Sequence, residues 1–183
     1  FPTGPIAHSR LWKAQIPFLS RHFRVVTFDP RGNGMSDRPG TPEAYSYWEA
    51  VEDGRAVLEA TGTETALLAG LCDGGGYAVM LAATRPAIAL GVFAIAPSVP
   101  RLPSPHPNYR RYPSLEPLDT DEGWAKWNVH YWRRDFRSFL EFFFSQQLPE
   151  PYSTKQIEDC VQWGLDGDVE TLVLADMEAP APF

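Results

Sequence analysis

The sequence predicts an α/β protein built on a parallel sheet, and three observations carry that prediction. Short apolar runs alternate with helix-length segments through residues 1–97. The helical segments between them are long enough to serve as right-handed crossovers, which puts helices on both faces of the sheet. One junction, Gly70-Leu71-Cys72-Asp73-Gly74-Gly75, supplies the small residues that a sharp strand-to-helix reversal requires.

Taken in order, Ser9 can cap a helix running to about His22, with Leu11, Trp12, Ile16 and Leu19 near one apolar face. Arg24-Val25-Val26-Thr27-Phe28 reads as a short buried strand. It ends in Asp29-Pro30-Arg31-Gly32-Asn33-Gly34, a turn rich in residues that tolerate unusual backbone angles. Tyr47, Trp48, Val51, Val57 and Leu58 fit a helix over 45–60, which Gly62 can stop. Ala66 to Leu71 is the next strand, the following helix reaches Arg85 before Pro86, and Leu90 to Ala96 forms a further strand.

Beyond Pro97 the character changes. Seven prolines between Pro97 and Pro117 are too dense for a helix or central strand and predict a linker or lid entry. Trp124, Trp127, Tyr131, Trp132, Phe136, Phe139 and Phe143 then recur at spacings of three and four, as amphipathic helices do. Ser153-Thr154 followed by Ile157, Val161 and Leu165 predicts another helix. Asp176 suits either a strand end or a last cap helix, and the helix is favoured.

A 183-residue chain with 44% hydrophobic residues can bury one sizeable core. Its net charge of -7, with basic residues scattered, argues against nucleic acid or an anionic membrane surface as partner. No apolar stretch approaches the roughly 20 residues needed to span a bilayer, and no signal segment opens the chain, so a cytoplasmic location is the expectation. Two cysteines, Cys72 and Cys160, make no disulfide framework and lack metal-ligand spacing; neither a metal nor a cofactor is expected. Phe1-Pro2-Thr3-Gly4-Pro5 reads as a loop just leaving a strand, and Glu178 to Phe183 as an open end. The expectation is therefore an internal piece of a longer protein, prone to aggregate through unpaired sheet edges when isolated.

The chemistry centres on Cys72. Gly70 and Gly74 bracket it as small residues bracket the nucleophile of an elbow, a turn that lifts a side chain clear of the backbone. A lone Gly-x-x-x-Gly is weak evidence at about 7% glycine per position. Here it follows a strand and is preceded by a second motif, Asp29-x-Arg31-Gly32-x-Gly34-x-Ser36-Asp37. With both motifs present, the chain resembles the α/β-hydrolase superfamily over about Phe1 to Pro97. The remainder resembles the cap of bacterial hydrolase modules sometimes joined to an adenylate/guanylate cyclase domain, through stretches such as Glu122 to Lys126, His130 to Arg134 and Ser153 to Asp159.

That resemblance implies a partial hydrolase core over 1–97 and a proline-rich entry with a helical cap over 98–183. It implies an esterase-like hydrolase, with Cys72 as nucleophile and the backbone N–H groups of Asp73 and Gly4 as oxyanion donors. It implies a small apolar ester-like substrate and leaves room for a fused domain. An inert or binding role for Cys72 stands beside this, in a ligand-sensing module that has lost turnover and regulates an attached cyclase. A helix N-terminus should make Cys72 more acidic, whereas the adjoining Asp73 carboxylate opposes this.

The superfamily order of nucleophile, acid and histidine finds no histidine after His130. His106 and His130 read as packing or surface residues, so the catalytic acid and histidine are expected beyond residue 183. Asp29 and Arg31 read as braces of their turn. The aromatic positions of the cap read mostly as core, with some facing Cys72 to line an apolar pocket, for which Trp124, Trp127 and Trp132 are unranked candidates.

Overall fold

The computed structural model describes residues 1–98 and 114–178. Among them the sheet has two parallel strands, β1 (Ala66–Leu71) and β2 (Ala89–Ile95), in register from Leu67 opposite Gly91 to Leu71 opposite Ile95. The N-terminal part contributes the one-turn helix α1 (Ile16–Leu19) and α2 (Tyr47–Ala60). The crossover between the strands is α3 (Asp73–Thr84).

Ser46 starts α2 by accepting a hydrogen bond from the Glu49 N–H at 3.3 Å, as an N-cap does. Beyond its end Gly62 takes φ +61°, while its N–H reaches the Glu59 carbonyl and that of Thr63 reaches Leu58. Helices α2 and α3 cover one face of the strand pair and enclose Val51, Leu58, Leu68, Ala78, Met80 and Leu81. On the opposite face Leu67 and Phe93 are exposed, so among the described residues helices cover one face and not the predicted two.

Two predicted elements differ from the structure. The helix expected from Ser9 to His22 is divided into a 3-10 turn, Ser9–Trp12, and α1. Pro17 accounts for the break: it offers no N–H and restrains the residue before it, so a helix can start there but not run through. The cap is also His8 rather than Ser9, its side chain accepting from the Arg10 N–H. The segment Arg24 to Phe28 is not a strand, because no described strand lies beside it to complete a ladder.

The segment expected to form a cap is helical among the described residues: α4 (Val129–Arg134), α5 (Phe136–Gln147), α6 (Thr154–Leu165) and α7 (Val169–Met177). Asn128, Asp135 and Asp168 each accept backbone N–H bonds at a helix start, and the caps at Asn128 and Asp135 divide the aromatic run into separate helices. Trp127, Trp132, Phe139, Leu140, Val161 and Trp163 form its core. Ile6, far away in sequence, is buried in the same cluster. The proline-rich stretch falls largely on residues 99–113, outside the described residues, and His106 lies there too. No helix is long and apolar enough to cross a membrane among the described residues.

Candidate active site

Cys72 sits between β1 and α3 with φ +55° and ψ −125°, a conformation that L-residues avoid and that costs on the order of 1–3 kcal/mol. The surrounding backbone holds it there. Its N–H donates to Ile95 on β2 at 3.0 Å, and its carbonyl accepts from Gly75, Gly76 and Ser98. The predicted sharp reversal is therefore present, and the side chain emerges exposed.

Small residues are necessary at this bend. A Cβ on Gly70 would lie 2.5 Å from the Gly75 nitrogen and closer still to the Gly74 carbonyl. One on Gly74 would stand 2.9 Å from the Phe1 carbonyl oxygen and nearer to that of Pro2. The Pro2–Ile6 segment thus lies directly on the start of α3. Gly4 takes φ +75° there, with its Cα side turned to Asp73 Oδ2 and the Tyr77 hydroxyl. The structure brings Cys72, Asp73 and the loop carrying Gly4 to one place.

The electrostatics of the elbow oppose a free thiolate. Dense protein on the inner side of the otherwise exposed Cys72 pushes its thiol up to about 12. The Asp73 carboxylate adds to the rise, and a hydrogen bond from the Asp73 N–H counteracts it. Burial, then Asp73, also raises the phenols of Tyr47 and Tyr77, whose rings meet edge to face at 4.7 Å.

These shifts have a consequence at alkaline pH. In the unfolded chain the Cys72 thiol and Tyr77 phenol ionise from 9.0 and 10.0, while the fold retains both protons to higher pH. Their contribution to stability is whole below pH 9.0 and is lost as pH climbs towards about 12. Urea midpoints are expected to fall between about pH 9 and 11, and to fall less in Tyr77→Phe.

Asp29 and Arg31 brace their turn, as predicted. Asp29 accepts from the Ser9 and Met35 N–H groups at 3.0 and 2.9 Å. Arg31 grips Asp53 of α2 through Nε and Nη2 at 2.7 and 2.6 Å and also donates to the Ala44 carbonyl. Behind the Gly4 loop a cavity of about 110 Å3 is lined by Gly4, Arg31, Tyr45, Asp53, Asp73 and Tyr77 among others. Its lining includes neither Cys72 nor any of Trp124, Trp127 and Trp132, so it is not the apolar pocket expected to face the elbow. Trp127 and Trp132 are buried in the core of the C-terminal helices and Trp124 packs against it, because their large apolar area is consumed in holding those helices together.

The remaining candidates fall away from Cys72. Asp176 lies on α7 and accepts the Trp127 indole N–H at 3.1 Å, so it is the helical residue expected and not a strand end. His130 is exposed on α4, its Nε2 3.2 Å from the Leu115 carbonyl. Two residues that sequence reasoning passed over are buried here. His8 places Nε2 3.2 Å from Asp166 Oδ2, and Asn33, fully buried, donates to Pro5 and Trp163. The signal available for Asn33 was its place between two glycines in a turn, which indicates conformation and not partners. Among the described residues no three His, Cys, Asp or Glu side chains gather as metal ligands would.

Comparison with known proteins gives this geometry its relatives. A family described as alpha/beta hydrolase fold matches residues 1–167. Over 75 residues, 41% of the chain, it is 36% identical to the AB hydrolase superfamily protein YisY of Bacillus subtilis, covering 27% of that protein. Over a stretch of equal length it is 35% identical to a Caulobacter segnis protein bearing the name carbamate hydrolase RutD, covering 28% of it. Among solved structures, an esterase from Exiguobacterium antarcticum superposes with a TM-score of 0.71 at 16% identity, over 94% of this chain and 61% of that one. A hydrolase from Oleispira antarctica gives 0.71 at 17% identity, over 95% and 62%. The match thus spans a little over a quarter of these curated relatives and about three fifths of the solved chains.

Proposed function

Since the chain belongs to the alpha/beta hydrolase fold family, we propose that the full-length protein hydrolyses an ester or related acyl bond of a small apolar substrate through Cys72. The observation that carries this reading is the exposed cysteine held at φ +55° between β1 and α3. Strain of that kind persists where the surrounding structure maintains a functional conformation. The thiolate would attack the acyl carbon, the carbonyl oxygen taking up negative charge beside the N–H groups of Asp73 and Gly4. Collapse would expel the alcohol, which takes a proton, and leave a thioester. Water would then cleave the thioester to the acid and regenerate the thiol.

A raised thiol needs a base to ionise it at neutral pH. The described histidines do not fill that role: His8 is engaged with Asp166, and His22 and His130 lie on the surface. The base we assign is a histidine outside the described residues, with its acid.

The same raised thiol on an exposed side chain favours a second reading, a ligand-sensing module without turnover. A thiol-reactive ester probe on the full-length protein tests the first. Labelling is expected at Cys72 and is expected to vanish in Cys72→Ala. Unchanged labelling in the variant overturns the assignment, whereas wild-type protein that resists the probe yet is thermally stabilised by an apolar ester supports the sensor.

A further inference from the structure

We propose that Asn33 is a positioning residue, whose buried amide ties the Gly4-bearing loop to cap helix α6 and so sets where the second oxyanion donor stands. This rests on the role given to Gly4 above. Asn33 is fully buried. Its Nδ2 donates to the Pro5 carbonyl at 2.8 Å and to the Trp163 carbonyl at 3.2 Å, while Oδ1 accepts the Gly34 N–H. The two donor hydrogens and one oxygen of the amide are thereby all engaged.

The loop needs such a tie. Pro2 and Pro5 have no N–H, so carbonyls are the handles by which the rest of the molecule can hold those residues. On one side the Pro2 carbonyl rests against Gly74 at the start of α3. On the other, Ile6 is buried in the cap cluster with Trp163, and Gly164 lies against the Ile6 carbonyl. Asn33 supplies the polar bond across this junction, from a turn that is itself anchored through Asp29 to Ser9 and through Arg31 to α2. Displacing Pro5 displaces Gly4, its immediate neighbour. A shift of about 1 Å in a group aimed at a transition state can cost about 10²-fold in rate.

Asn33→Asp keeps the shape but replaces the donor nitrogen with an oxygen facing two carbonyls. In the full-length protein, with p-nitrophenyl acetate as substrate, kcat is expected to fall about 10²-fold while KM stays within about twofold. Amide hydrogen exchange at Thr3, Gly4, Ile6 and Ala7 and over residues 160–168 should quicken, with exchange in β1 and α3 unchanged. Should Asn33→Asp fail to fold, Asn33→Ser retains one donor and is expected to give the same pattern at smaller amplitude.

Unchanged loop exchange in a folded variant overturns the proposal, as does a loss confined to KM. If the wild-type protein does not turn over the ester, the reading of Gly4 as a donor fails by itself. Exchange then decides the tie: faster exchange confined to the loop and residues 160–168 supports it, and none removes it.

Discussion

Replacing Gly70 by alanine is expected to destabilise the full-length protein by about 3 kcal/mol and lower its melting temperature by about 10 °C. The added methyl would meet the Gly74 carbonyl group and the Gly75 nitrogen, which are backbone atoms of the first turn of α3. A flexible side chain could rotate away; this turn cannot, because the Cys72 carbonyl that accepts from Gly75 and Gly76 also accepts from Ser98. Relief would require α3 to lift from β1, uncovering Leu68, Ala78 and Leu81. Gly40→Ala is the control, since nothing lies within 4 Å of its added carbon, and it should move stability by less than about 0.5 kcal/mol. Thermal and urea unfolding of both variants measure the contrast. If Gly70→Ala melts with the wild type, the tight approach at the elbow is not a feature of the folded protein.

The same residues show how far the sequence alone reaches. The limits of β1 at Ala66 and Leu71 were legible, because an apolar run ends in glycine, cysteine and aspartate within a few positions and each acts locally. The elbow was legible for the same reason, and so was the bracing part of Asp29 and Arg31, although the partner Asp53 was not. Arg24 to Phe28 has the composition of a strand but no strand beside it among the described residues, and a strand is defined by pairing that one segment cannot encode. Aromatic spacing indicates the C-terminal helices and a largely aromatic core, but not which rings turn inward, and Trp127 and Trp132 stand in that core with Trp124 packed against it. Least legible were Asn33 and His8. Their partners lie up to 130 and 158 residues away, and a buried asparagine or histidine carries no periodic signal to announce a contact at that range.

Removing the charge of Asp73 is expected to make Cys72 more reactive. Two effects raise its thiol: crowding by protein, which Asp73→Asn leaves almost intact, and the neighbouring carboxylate, which it deletes while the backbone N–H bond to the sulfur remains. The pH at which alkylation by iodoacetamide half-saturates should therefore move down, by about one pH unit for a like charge this close. Thiolate at a given pH below that point would increase about tenfold, but a less basic thiolate is also a weaker nucleophile, so the net gain in rate is about threefold. The phenols give an internal check. Tyr77 owes part of its rise to the same carboxylate, so its ionisation, followed by ultraviolet absorbance, should begin at lower pH in the same variant. A Cys72 profile unmoved by Asp73→Asn would show that crowding alone keeps the thiol protonated. Activation would then require a base brought against the sulfur itself.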